Sequence, residues 1–284
     1  MDKQIIFNAL EDPDVIERAV SRRGAFGSMG KWAAGLAMAS MPVALAAMTK
    51  EAFAFDHIPD RIVNALNVAL VLEYLEAEFY QIGLATSGLI PAQDRAIFEQ
   101  ISKHEDVHVA FLRAVLGAQA ARRPQFDFTA GGQFDTFTNY QTFLALSQGF
   151  EDTGVRAYKG QAPNLMASDV FLTAALRIHS VEARHASQVR RLRGMYAGQP
   201  EQAPFKGWPT LDQVDVAALQ PIYGPGMPAS MFPSEANVVQ LGINTADLAA
   251  SVGIDNPMEA ASEAFDEPLD LRTVLSIAGM FAQR

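Results

Sequence analysis

The sequence contains no cysteine. That absence removes disulfides, iron–sulfur clusters, thiolate zinc sites and thiol nucleophiles together. Positive charge is also scarce: 22 Lys and Arg stand against 32 Asp and Glu, a net charge of −10. This argues against nucleic-acid binding, which needs a basic face. Histidine is rarer still, with only His57, His104, His108, His179 and His185. Any bound metal must therefore be held by Glu, Asp and these few imidazoles. What remains is a chain of 284 residues, 49% hydrophobic and 19% charged. Such a composition fits one or two globular domains with ample core and argues against global disorder.

No apolar run reaches the roughly 20 residues of a comfortable membrane span. The longest, Trp32 to Met48, is broken by Pro42. It follows Arg22-Arg23 and precedes Ala52-Phe53-Ala54, a small-x-small pattern of the kind cleaved after export. Ser21-Arg22-Arg23-Gly24-Ala25-Phe26 resembles a twin-arginine export signal, with Phe26 one place later than that pattern sets it. Residues 1–54 are therefore expected to be a twin-arginine-type signal directing the protein to the periplasm or beyond the cytoplasm. An uncleaved anchor, which would be the chain's one link to a membrane, and an Ala-rich packed helix are the competing readings. The segment carries six basic and six acidic residues, so the net charge belongs to the rest of the chain.

Alternating Val/Ile/Thr-rich runs are missing between residues 57 and 197, so strands are not expected there. Four helical stretches are: about 59–86, 91–120 with Pro91 at its start, 137–159 before Gly160 and Pro163, and 168–196 with Ser168 as N-cap. The first link is short, so its helices should be antiparallel neighbours. The segment 121–136 could span roughly 50 Å when extended, the length of a 30-residue helix. Two hairpins joined by one long crossover give the ferritin-like topology, an all-α four-helix bundle over 55–197. From Gly198, Pro and Gly become frequent, and 198–284 reads as an irregular extension over the bundle ending in a short amphipathic helix, about 270–281.

The helical seams carry the chemistry. The second runs Phe98, Ile101, Glu105, His108, Leu112, Val115; the fourth runs Ile178, Glu182, His185, Val189, Leu192. Each is apolar except for a Glu-x-x-His step that sets a carboxylate and an imidazole on one face. The first seam holds Glu73 and Tyr80, the third Glu151 and Tyr158, each pair seven residues apart. Glu73, Tyr80, Glu105 and His108 thus form one half-motif, and Glu151, Tyr158, Glu182 and His185 a second. Two Glu-x-x-His helices plus one Glu from each of two others match the rule for dinuclear carboxylate bundles. Four carboxylates in a dry bundle repel one another, and two divalent cations cancel them. Oxygen and imidazole donors suit Fe or Mn, so two such ions per chain are expected.

Other residues compete for these roles. The Glu and His could instead be paired by Arg177, Arg184 or water. Glu76 is the rival ligand on the first helix, although off the chosen seam, and Glu78 reads as a solvated residue. His104 and His179 read as neighbours of the site or surface residues rather than ligands. Arg190, Arg191 and Arg193 suit the negative end of the fourth helix. Phe126, Phe128, Phe134 and Phe137 read as packing, and His57 has no evident partner. Tyr80 and Tyr158 are expected to orient the terminal carboxylates by hydrogen bonds, electron donation being the second option.

The stretches Leu72-Glu-Tyr-Leu-Glu-Ala-Glu-Phe-Tyr80, His104-Glu-Asp-Val-His108 and His179-Ser-Val-Glu-Ala-Arg-His185 resemble ferritin-like proteins often labelled desiccation-related, relatives of ferritin, bacterioferritin and rubrerythrin. The resemblance covers about 55–197, and Phe265-Asp-Glu-Pro268 is similar too. It implies bridging roles for Glu105 and Glu182 and terminal roles for Glu73, Glu151, His108 and His185. Without Cys, a rubredoxin-type iron centre is ruled out. The expectation is an oxidoreductase acting on O2 or peroxide in stress protection, against a non-catalytic protein whose metals staple the bundle. The oligomeric state is left open, a homo-oligomer being compatible.

Overall fold

The computed structural model describes residues 58–283, so the signal reading of 1–54, and His57, lie outside the described residues. Four long helices form a bundle: α1 (Asp60–Ala85), α2 (Ala92–Leu116), α3 (Tyr140–Leu165) and α4 (Asp169–Ala197). α1 packs on α2 and on α3, and α3 packs on α4. The α2–α3 connection, residues 117–139, is the long crossover, while α1–α2 and α3–α4 are closed by short links. The protein is thus an all-α bundle, and none of its described helices is long and apolar enough to cross a membrane.

Local chemistry sets the boundaries. Pro59 and Pro91 stand at the N-caps of α1 and α2 rather than inside them. Asn139 caps α3, its side chain accepting from the amides of Gln141 and Thr142. Ser168 occupies the N-cap of α4 but makes no side-chain cap bond. Gly117 and Gly198 end α2 and α4 at positive φ, where glycine carries no Cβ penalty.

α3 runs past the expected stop at Lys159 and takes Pro163 inside it. An interior proline costs a helix about 3 kcal/mol. Here burial offsets it, because Gln161 and Leu165 lie in the core and line a small interior pocket with Leu66, Leu72 and Ala175. Fully burying a leucine contributes about 1.5–3 kcal/mol.

An aromatic cluster fills one end of the bundle. Phe79 stacks on Phe143 at 4.7 Å and meets Phe150 and Phe128 at 5.0 and 5.4 Å. Gly83 makes room for it, since a Cβ there would lie 2.4 Å from the Phe143 ring. The crossover phenylalanines are packing residues: Phe128 is within 5.8 Å of Phe126 and Phe137, and Phe134 stacks on Phe281.

The extension is more ordered than its Pro- and Gly-rich composition suggests. It holds α5 (Gln220–Tyr223), a hairpin of β1 (Val239–Gln240) and β2 (Ile243–Asn244), α6 (Thr245–Ser251), α7 (Pro257–Glu263) and α8 (Leu271–Gly279). α6 and α7 are only seven residues each, too short to show helical periodicity, and α6 depends on the Asn244 side-chain cap.

Buried arginines fasten the extension to the bundle. Arg156, on α3, is 2% exposed. It donates to the carbonyls of Ile222, Gly224, Pro233, Glu267 and Pro268 and pairs with Glu235 at 2.8 Å. Arg190 and Arg193, read from the sequence only as suiting the negative end of α4, are buried too. Arg190 pairs with Asp152, which also accepts from the Tyr223 hydroxyl at 2.6 Å. Arg193 donates to Gln148 at 2.7 Å and to Asp215 at 2.6 Å. Only Arg191 of the three is exposed.

Candidate metal centre

Each of the four long helices turns acidic or imidazole side chains into one interior volume. Glu73, Glu105, Glu151 and Glu182 are 0% exposed, His108 9% and His185 5%. These donors fall into two overlapping sets: Glu73, Glu105, His108 and Glu182, and Glu105, Glu151, Glu182 and His185. Within each set the donor atoms lie within 4.8 Å of one another. All six sequence-predicted ligand positions are therefore brought together, and Glu105 and Glu182 belong to both sets.

The oxygens divide accordingly. Glu105 places Oε2 3.1 Å from Nδ1 of His108 and Oε1 2.9 Å from Nδ1 of His185. Glu182 does likewise, with Oε1 3.1 Å from His108 and Oε2 3.6 Å from His185. Glu73 and Glu151 each face a single imidazole, at 3.1 and 3.2 Å through Oε2. Their other oxygens are taken by tyrosines: Tyr158 donates to Oε1 of Glu73 and Tyr80 to Oε1 of Glu151, both at 2.5 Å. Burial raises both phenols well above their usual range, which keeps them as donors. The tyrosines thus hold carboxylates, but crosswise: each serves the Glu of the opposite hairpin, not of its own half-motif. Alternation within one helix cannot reveal such a pairing, because it depends on how α1 meets α3.

The donor set suits a cation. Both oxygens of Glu182 and Oε1 of Glu105 are buried without a hydrogen bond; the nearby imidazoles are at ion-pair distance but off the hydrogen-bonding line. Buried acceptors left this way cost about 1–3 kcal/mol each, more when charged. Among the described residues no Arg or Lys pairs with the four carboxylates, and Arg177 and Arg184 are exposed, which sets aside the arginine-paired reading.

Electrostatics tells the same story. Burial pushes Glu73 up to about 8, with Glu182 adding to the rise. Glu151 is raised for the same first reason. Burial would also raise Glu182, but contact with His108 and His185 outweighs it and brings the group down to about 2. Burial lowers His108, yet its three carboxylate neighbours, Glu105, Glu182 and Glu73, carry it up to about 12, and His185 shifts the same way. Protons occupy this cluster where cations could replace them.

Glu76, off the seam that carries Glu73, is buried as well, at 2% exposure. Gly154 of α3 lies against it: a Cβ there would sit 3.4 Å from its Oε1 and 3.5 Å from Cγ of Glu182, ordinary contact distances. Burial, then Glu182 and Glu151, raise it well above the usual range, which favours its neutral form and preserves the balance of four charges. Its spacing, three after Glu73 and four before Tyr80, was the available signal. Glu78 lies on the outer face, 3.7 Å from Arg123. His179 joins neither ligand set, and His104 contacts His185 from outside.

The fold and this donor set define a class: a four-helix bundle whose buried carboxylates and imidazoles could hold metal. Residues 62–195 match the family model described as a ferritin-like domain, a span from the first turn of α1 to the last turn of α4. Comparison with curated proteins gives no match.

Proposed function

We propose that the protein holds two Fe or Mn ions between its four long helices and acts as an oxidoreductase on O2 or peroxide, in stress protection of the kind the desiccation-related label denotes. The observation that carries this reading is the sharing of Glu105 and Glu182 between two donor sets, each completed by its own Glu and its own imidazole Nδ1. Two redox-active ions held by these residues would supply the electron change that O2 or peroxide chemistry needs. The chain's own residues exclude water by burial, present oxygen and imidazole donors, and hold the terminal carboxylates through Tyr80 and Tyr158. Removal of any metal followed by anaerobic loading should give two ions per chain, and metal-quantified protein should turn over peroxide or consume O2. One ion per chain, or zinc in a four-coordinate site, refutes the dinuclear reading. Two ions with no turnover of either oxidant leaves a metal-stapled bundle and refutes the activity.

The Arg22-Arg23 segment supports export in the folded state, with metal acquired in the cytoplasm. Ligand sets of this kind favour Cu and Zn over Mn and Fe when all compete, so folding before export would protect metal identity. Changing both arginines to Lys should retain the protein in the cytoplasm, folded and metal-loaded. Export of that variant refutes the route.

A further inference from the structure

The centre is nearly two-fold in its donors, but its surroundings are not. Nδ1 of His185 faces Glu105, Glu151 and Glu182. Its outer nitrogen, Nε2, lies 2.9 Å from Nδ1 of His104. The two rings are 12° from coplanar with centroids 5.1 Å apart, a separation that fits an in-plane N–H···N bond, edge to edge. His104 continues outward, with Nε2 2.7 Å from Nε2 of the Gln100 side-chain amide, four residues earlier on α2. Nothing comparable serves His108. Its partners are all at Nδ1, its outer nitrogen has no side-chain partner among the described residues, and its side chain is 11% exposed. The position in α4 that corresponds to His104, one residue before Glu182, is Val181, which can accept no hydrogen bond.

We propose that His104 is a positioning residue that makes the two metal positions unequal, by accepting a hydrogen bond from Nε2 of His185 while His108 goes without one. The inference rests on the dinuclear reading above. An imidazole that offers Nδ1 to a cation carries its proton on Nε2. In His185 that proton points at Nδ1 of His104, so His104 carries its own proton on Nε2 and directs it at Gln100. The nitrogen of the Gln100 amide stands at this contact; with His104 protonated on Nε2 the amide is turned over, so that its oxygen accepts, N and O of such a group being assigned from their partners. The chain from His185 through His104 to Gln100 therefore has one direction, from the centre to the surface. It fixes the plane of His185 before a metal arrives, leaves Nδ1 as the nitrogen that gives up its proton to a cation, and strengthens the ring as a donor. Hydrogen-bond partners of this kind are worth roughly 10–100-fold in metal affinity. The position at His185 fills first and holds its ion more tightly; the position at His108 fills second.

The test is a titration of chelated protein with Mn2+ alone, read by calorimetry and by the electron paramagnetic resonance of free Mn2+. Wild type should take two ions in two resolved steps. His104→Phe keeps a ring but loses the acceptor, and His104 is half-exposed, so the helix tolerates the change. It should weaken the tighter step roughly 10–100-fold and leave the weaker step in place. His104→Asn restores an acceptor near the Nδ1 position and should recover most of the loss, which a merely structural role would not allow. With Co2+ in place of Mn2+, one paramagnetically shifted imidazole N–H should resist exchange with solvent in wild type and exchange freely in His104→Phe. Equal weakening of both steps, or two unchanged steps, overturns the role of His104 while the dinuclear reading stands. Fewer than two ions in wild type overturns the dinuclear reading itself.

Discussion

Replacing Glu73 by Gln should make the metal-free protein more stable and the metal-loaded protein less stable. Gln is nearly isosteric with a protonated Glu and keeps an oxygen for the Tyr158 hydroxyl, which donates to Oε1 at 2.5 Å. Burial raises the Glu73 carboxyl from 4.5 to about 8. At pH 7 the folded chain therefore holds this proton and the unfolded chain releases it, so unfolding gains the free energy of ionisation. About 2.5 pH units above 4.5 correspond to roughly 3–4 kcal/mol at about 1.4 kcal/mol per unit. Gln removes that gain. For a chain of this size, 1 kcal/mol moves the melting temperature by about 2–4 °C, so the chelated variant should melt about 6–16 °C above chelated wild type at pH 7. The difference should vanish below about pH 4.5, where both states keep the proton. With metal the order reverses. A ligand at 1,000 times its Kd adds about 4 kcal/mol per site, and Glu73 belongs to the donor set at His108 alone. Wild type should gain about 8 kcal/mol from two ions and the variant about 4 kcal/mol from one. Differential scanning calorimetry at pH 7 and pH 4.5, with chelator and with metal, measures all four states. A chelated variant that melts at or below wild type at pH 7, or that binds two ions, refutes the reasoning.

Glu105→Ala should lose both ions, because its two oxygens face the two imidazoles separately, whereas Glu78→Ala should keep both; elemental analysis that finds the two alike refutes the shared-ligand assignment. Chelated wild type should lose stability steadily as pH rises. The raised Glu73 acts between 4.5 and about 8, and the raised His108 acts from 6.5 towards about 12, in each case because the folded state binds more protons than the unfolded. Metal uptake should accordingly release protons and tighten with pH, which calorimetry in buffers of different ionisation enthalpy measures. Gly160→Ala should loosen the extension, since a Cβ there would lie 1.9 Å from the Leu269 carbonyl oxygen; limited proteolysis should then cut within 198–284 faster than in wild type, and an unchanged digestion pattern refutes the contact.

The bundle was legible because its helices are long. Twenty-five or more residues of three-and-four spacing leave little doubt about which face is buried, and Glu105, His108, Glu182 and His185 stand out on that face because every neighbour along it is apolar. The burial of Glu76 was not legible from one seam because α1 is apolar nearly all round: Leu72, Tyr74, Leu75 and Phe79 are buried as well, so a single seam understates how much of that helix faces protein. Arg156, Arg190 and Arg193 were beyond reach for a different reason. Their acceptors are backbone carbonyls, a glutamine and carboxylates dozens of residues away, and an arginine that satisfies itself over such distances looks, along the chain, like one that faces water. The same holds for the contact of His104 with His185, 81 residues apart.

The crosswise tyrosines carry a consequence for how copies of the chain can combine. Tyr80 of the α1–α2 hairpin secures Glu151 of the α3–α4 hairpin, and Tyr158 returns the favour to Glu73. Neither hairpin owns a finished half of the centre. Suppose two chains traded their α3–α4 hairpins through the crossover at residues 117–139, as domain-swapped dimers do. Each rebuilt centre would contain one hairpin from each chain, with every carboxylate, imidazole and phenol in place. Metal content and spectra would be the same in the swapped pair as in two separate molecules. Occupancy of this centre thus certifies that a first hairpin has met a second, whichever chain supplied each.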